Sequence, residues 1–280
     1  MLRARLFWMI AFLPLVFARP AAAEVIGLSA VADAFVVSAT STSNYGGAGT
    51  LAVAAPGLPQ GEFQSVLRYD TSAAKTQFDT LLGAGLWSVT SLTLQWTAGG
   101  GSNPIFNTPA AGHFTLDWMQ NDAWVEGAGT PAAPGTTGIT FASLPSFLGA
   151  GDQTLGTFAF NGASSGTFTY SLSLTSGPLA DVAAGSLLSL HASAADALVS
   201  YSFNSRSFAT AASRPLLIIT AVPEPGTGLL VMTGLLGLAY RQKRHERAPR
   251  QRRVRTRHDA RQDRPRRWMT ATTFRNAKRV

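Results

Sequence analysis

The sequence predicts an all-β protein, a two-sheet sandwich of jelly-roll-like build, over residues 24–220. Three observations predict it. Short runs of alternating apolar and polar residues recur along this region. Gly, Pro, Asn and Ser punctuate nearly every run. No long amphipathic helical pattern interrupts them.

The runs follow in order. Val31 to Val37 is the first, and Thr50 to Ala54 follows the turn Asn44-Tyr45-Gly46-Gly47. Residues 63–70 place Phe63, Leu67 and Tyr69 on one parity. Leu92 to Trp96 alternates strictly, and its parity predicts Trp96 in the core; Trp87 is a second core candidate. Phe168 to Leu174 puts Phe, Tyr and two Leu on one face, with Thr and Ser on the other. Period two with a polar outer face is the signature of half-buried antiparallel strands. Further strands are predicted at 112–118, 153–160, 186–191, 197–203 and 214–220, about ten in all. Leu179, Val182 and Ala183 have helical spacing and predict one helical turn over Pro178–Ala184. Residues 126–151, rich in Gly, Pro, Thr and Ala, read as one long loop, of the kind that is either functional or mobile.

Charge separates this region from its flanks. The whole chain is +8. Residues 24–220 hold 11 acidic side chains against 4 basic ones (Arg68, Lys75, Arg206, Arg214), a net of −7. The basicity lies outside the β region, which argues against nucleic acid as its partner. The chain has no cysteine, so a disulfide scaffold, a thiolate metal site and a cysteine nucleophile are excluded.

The N-terminus reads as a secretory signal peptide over residues 1–23. Arg3 and Arg5 precede an apolar run, Leu6 to Phe17, and Ala21-Ala22-Ala23 offers small residues to a signal peptidase. Cleavage is expected between Ala23 and Glu24.

At the other end, residues 221–247 hold three elements in order: Val222-Pro223-Glu224-Pro225-Gly226-Thr227, an apolar run from Gly228 to Tyr240, and the basic cluster around Arg241, Lys243 and Arg244. The closely spaced prolines bar a helix and keep the approach extended. The apolar run of 13 residues spans about 20 Å as a helix, short of the ~20 residues a stable anchor needs. The basic cluster holds its end in the cytoplasm. This order resembles the PEP-CTERM sorting signal of Gram-negative bacteria. The resemblance implies recognition by an exosortase, transient insertion in the inner membrane, processing near Pro223-Glu224-Pro225, and delivery to the cell surface or a matrix of exopolysaccharide. One departure stands out. Members of that family end near the basic cluster, whereas this chain continues to Val280 through an arginine-rich stretch, 248–280, whose composition is that of a disordered tail.

The β region has its own resemblance. Ala32-Asp33-Ala34-Phe35-Val36, Asn44-Tyr45-Gly46-Gly47, Ser65-Val66-Leu67-Arg68-Tyr69-Asp70, the segment from Trp118 to Gly127, Phe203-Asn204-Ser205-Arg206 and Arg214 to Ile218 resemble the exported DNRLRE domains, which are grouped with carbohydrate-binding modules. The resemblance implies a jelly roll and glycan binding. Trp118 and Trp124 are then the candidate glycan contacts, since aromatic faces stack on sugar rings; burial is the competing reading of both.

The residues themselves support less. Asp33 and Asp70 are calcium-ligand candidates as hard oxygen donors, or simply turn caps. Arg68 and Arg206 are expected to pair with Asp33, Asp70 or Glu126 as structural ion pairs. Neither His113 nor His191 has metal-binding spacing, and no nucleophile elbow or nucleotide loop is present. Asp117, Asp122 and Glu126 are the one acidic cluster from which glycoside chemistry could be built. The expectation is therefore a non-catalytic surface protein with no required cofactor. A purely structural matrix protein and a polysaccharide-degrading enzyme are the alternatives.

Overall fold

Residues that alternate in sequence fall on opposite faces of a strand, so each run above commits one face to a core. A computed structural model describes residues 22–99, 112–224, 234–238 and 241. It contains β1 (Glu24–Ser29), β2 (Ala32–Val37), β3 (Thr50–Ala54), β4 (Phe63–Asp70), α1 (Ser72–Leu82), β5 (Trp87–Thr97), β6 (Gly112–Met119), β7 (Gln153–Phe160), β8 (Thr167–Leu172), α2 (Ser176–Ala184), β9 (Leu187–Ala194), β10 (Ser200–Asn204) and β11 (Leu216–Pro223). The chain divides into two compact units, Met1–Pro225 and Gly226–Val280.

In the first unit all strand pairs are antiparallel. They form a four-stranded sheet, β1-β11-β5-β8, and a seven-stranded sheet, β10-β3-β4-β9-β6-β7, with β2 also paired to β4. One apolar core lies between the sheets. Leu92, Leu94 and Trp96 of β5 and Leu217 and Ile219 of β11 meet Leu67 and Tyr69 of β4, Phe114 and Leu116 of β6, and Leu190 of β9. Trp96 stands at its centre, fully buried, stacked on Phe203 at 4.0 Å and edge-on to Phe114 at 6.0 Å. Stacked and edge-on rings gain beyond the area they bury.

Two elements differ from the sequence reading. β1 was not foreseen, because Val25 and Gly27 on its outer face break the polar alternation. The 11-residue helix α1 was also not foreseen. Its signal is faint: Ala74 and Phe78, four apart, are the buried pair, and Gly83 ends it at φ 101°. The predicted turn at 178–184 is the body of α2, which begins two residues earlier.

Segment 120–152 has no strand and only one 3₁₀ turn, Leu144–Ser146. It is nonetheless a packed layer. Trp124, Ile139 and Leu144 are buried against Ala34 and Val36 of β2 and Val66 of β4, on the outer face of the seven-stranded sheet. Ala32, Ala34 and Val36 are buried in this layer, while Phe35 and Val37 on the other parity of β2 are buried with Tyr45 and Ala52.

In the second unit, residues 234–238 are helical, with Leu235, Leu236 and Leu238 exposed. Among the described residues no helix is long and apolar enough to cross a membrane. The signal segment up to residue 21, most of the apolar run at 228–240 and the tail 248–280 lie outside the described residues.

Replacing Trp96 by Ala removes the centrepiece of the inter-sheet core. The expected loss is about 3–5 kcal/mol of unfolding free energy, read from the urea midpoint of the full chain. A loss under about 1 kcal/mol contradicts this packing.

Candidate functional site

The segment that covers the seven-stranded sheet is held by one buried amide. Asn44 is fully buried. Its Nδ2 donates to the carbonyls of Glu126 (2.6 Å) and Ile139 (2.8 Å). Its Oδ1 accepts from the amides of Gly46 (3.1 Å) and Gly129 (3.2 Å). Its backbone exchanges both bonds with Gly135, at 2.8 and 3.0 Å. Every hydrogen-bonding position of the side chain is filled. The glycines around it are there for space. A Cβ at Gly46 would overlap the Glu126 carbonyl oxygen, and one at Gly129 would overlap that of Asn44. Asn44-Tyr45-Gly46-Gly47 therefore does more than turn the chain: it is the socket into which residues 126–139 fit.

This socket brings Glu126 beneath β2. The Glu126 carboxylate accepts from the backbone amide of Asp33 at 3.0 Å and from both Nε and Nη2 of Arg206. The amide of Arg206 in turn donates to Asp33 Oδ2 at 2.6 Å. Three segments far apart in sequence are thus tied by one bidentate ion pair and one carboxyl. Asp33 has no exposed surface, and its Oδ1 has no hydrogen-bond partner among the described residues. Burial pushes its carboxyl up to about 7; the Glu126 charge adds to this, and the Arg206 amide and guanidinium oppose it. The fully buried Tyr69 phenol is pushed well above its ordinary range, by burial first and by Asp33 second.

The remaining candidates have separate roles. Arg68 donates to the carbonyls of Asp122 and Trp124, both at 2.8 Å, and its guanidinium carbon lies 4.5 Å from the centre of the Trp124 ring. It pairs with backbone rather than with Asp33 or Asp70. Trp124 is 1 % exposed and donates from its indole to Ser189 at 3.0 Å. Trp118 is 7 % exposed and donates to Asp181 Oδ2 at 2.6 Å, with Gly177 against its ring. Sugar stacking needs an exposed ring face. The structure buries both Trp118 and Trp124, in line with the burial reading of these residues: their rings complete the packing of loop and helix on sheet.

The calcium candidates are not brought together. Asp33 is buried in the ion-pair cluster, while Asp70 is exposed and makes a local turn before α1 by accepting from the Ser72 amide at 2.9 Å. No group of three or more His, Asp or Glu able to hold a metal occurs among the described residues. The acids of the 117–126 segment also diverge. Asp117 faces His191 (3.8 Å) and accepts from Thr154; burial works to raise its carboxyl, but these partners leave it below its ordinary range. The Asp122 carboxyl is raised, by burial first, despite the hydrogen bond from Ser189. Glu126 is committed to Arg206.

The first strand and the last strand of this unit lie side by side. β1 opens at Glu24, immediately after the exposed Ala22 and Ala23, and Glu24 is paired with Ala221. β11 continues past the predicted boundary at residue 220: Val222 pairs with Ser88 and Pro223 with Trp87, and the Glu224 amide donates to the Leu86 carbonyl at 2.8 Å. Pro223 cannot donate to a ladder and stands at the strand end, where that costs nothing. Pro225, Gly226 and Thr227 lie outside the described residues.

Residues 221–244 match the family model of the PEP-CTERM protein-sorting motif. The chain carries an exosortase sorting signal. That signal marks it as an exported protein processed by an exosortase, and its first three matched residues, 221–223, are the last three of β11. No curated protein matches the chain.

The Asp33 cluster predicts a pH dependence. Its carboxyl titrates near 7 in the folded chain against 3.8 unfolded, so the folded state binds the extra proton between these values. Asp33 therefore lowers stability progressively as pH rises from about 4 to about 7, by a few kcal/mol in total. Urea unfolding of wild type and Asp33→Asn across this range should show wild type losing ground to the variant as pH rises. A constant difference between the two contradicts the buried, proton-binding Asp33.

Proposed function

We propose that this chain is a non-catalytic, exosortase-processed protein of the bacterial surface or extracellular matrix, associated with extracellular polysaccharide through its β domain. The observation that carries the reading is the sorting motif joined without a linker to β11. Export of a single folded domain whose two ends are adjacent, Glu24 beside Ala221, suits a protein released from both its leader and its tail. The polysaccharide association is supported by the resemblance of its strand motifs to DNRLRE domains, which also favours a jelly-roll path for the two sheets. A non-catalytic role is supported by the engagement of Glu126 with Arg206 and of Asp117 with His191 and Thr154, which commits both acids to structural partners.

The test is processing of the native protein. One epitope is inserted between the exposed Ser164 and Ser165 and a second follows Val280. In cells with an exosortase, the expected product is a surface or released species that keeps the first epitope and lacks the second, with a mature N-terminus at Glu24 by mass spectrometry. Deleting the exosortase should leave both epitopes in the inner membrane. A chain that keeps both epitopes at the surface with the exosortase present contradicts the reading.

A further inference from the structure

The last rungs of β11 serve two purposes at once. Residues 222–224 belong to the sorting motif matched over 221–244, and they also complete a ladder of the four-stranded sheet. Val222 lies opposite Ser88 and Pro223 opposite Trp87, and the Glu224 amide donates to the Leu86 carbonyl at 2.8 Å. The β5 side of this ladder is itself clamped. Trp87 is 9 % exposed, leans on Phe78 of α1 at 5.1 Å and donates from its indole to Asp79 Oδ1 at 2.8 Å. Lys75 binds the same carboxylate, and these two partners, Lys75 first, hold the Asp79 carboxyl below its ordinary range. Helix α1 thus fixes the strand against which the start of the motif lies.

The hold is one-sided and local. β1 pairs no further than Glu24 with Ala221, so among the described residues the strand pairing of 222–224 is with β5 alone. The core ends one residue earlier. Leu217, Ile219 and Ala221 are fully buried, whereas Val222 and Pro223 are half-buried and Glu224 is exposed. A strand end with few buried contacts opens without the rest of its sheet.

We propose that this strand end is a latch on processing: the exosortase engages Val222, Pro223 and Glu224 only after they peel from β5. This rests on the exosortase reading above and adds the step that controls it. Three observations carry it. An enzyme that reads these residues as an extended peptide needs their main-chain groups, and the Glu224 amide is spent on Leu86. Pro223 donates nothing to the ladder, so its rung is weaker than its neighbours. Peeling exposes no residue of the core, so the latch opens while the domain stays folded. The folded domain therefore remains attached to its tail until its last rungs open.

Pulse-chase of the full chain carrying the two epitopes above tests this, in cells with an exosortase, by the rate at which the second epitope is lost. Inserting Gly-Ser-Gly-Ser between Ala221 and Val222 leaves residues 24–221 and the motif unchanged and carries the motif off the sheet. Asp79→Ala frees Trp87 without lengthening the chain. The spacer should speed processing about threefold or more. Asp79→Ala should speed it in step with faster exchange of the Glu224 amide, read by hydrogen exchange on the full chain purified from cells without the exosortase. Unchanged rates in both variants overturn the latch and leave the exosortase reading standing. A slower spacer chain means that the ladder presents the motif rather than withholds it, and also overturns the latch. So does a faster spacer chain beside an Asp79→Ala chain that exchanges faster at Glu224 but is processed at the wild-type rate, since the gain then comes from reach alone. Wild-type and spacer chains that both keep the second epitope overturn the exosortase reading and the latch together.

Discussion

The domain depends on one buried amide with every hydrogen bond made. A segment of some thirty residues without strands carries many backbone groups that water or protein must satisfy, and it cannot lie on a sheet unless they are met. Asn44 meets this need where the segment comes closest, taking two carbonyls and two amides from its side chain and one more of each from its backbone. Two of its own glycines and those at 127, 129 and 138 let backbone touch backbone there; Gly127 and Gly138, at φ 75° and 99°, also take a conformation that other residues resist. With the segment seated, Trp124, Ile139 and Leu144 can close the outer face of the seven-stranded sheet. The domain thus has two apolar layers rather than one.

The sparse charges follow from the same arrangement. Glu126 arrives on the seated segment, and its bidentate contact with Arg206 ties the end of β10 to the start of β2 through Asp33. Arg68 braces the segment from below by holding two of its carbonyls and stacking on Trp124. These groups are consumed by architecture. Such pairs contribute less to net stability than to fixing one arrangement, because the cost of burying them offsets much of their attraction.

Much of the fold was legible in the sequence. Thr50–Ala54, 63–70 and 153–160 emerge with the expected bounds, because turn residues bracket them. The buried Trp96 and the Arg206–Glu126 pair were also legible, the first from parity and the second from the scarcity of other basic partners. What was illegible depended on tertiary contacts. β1 shows little alternation because it lies at a sheet edge, and α1 buries only two side chains. Asn44 reads locally as a turn residue; its partners lie 82 to 95 positions away. Burial of Trp124 was hidden because its segment has no periodic pattern, and that of Trp118 because it depends on Gly177 and Asp181 of α2, some sixty positions away. The sorting signal was fully legible, since its elements are contiguous, but its entry into β11 was not: a valine and a proline before a glutamate do not announce a strand end.

The central claim, that Asn44 seats segment 126–139 as part of the fold, is tested most directly by hydrogen exchange with mass spectrometry on the full chain and its Asn44→Ala variant. The account predicts that the amides of Gly129, Gly135 and Ile139 are protected in the wild type and exchange roughly tenfold faster or more in the variant, while β5 and β11 keep their protection. Unchanged protection across 126–139 in the variant would contradict it.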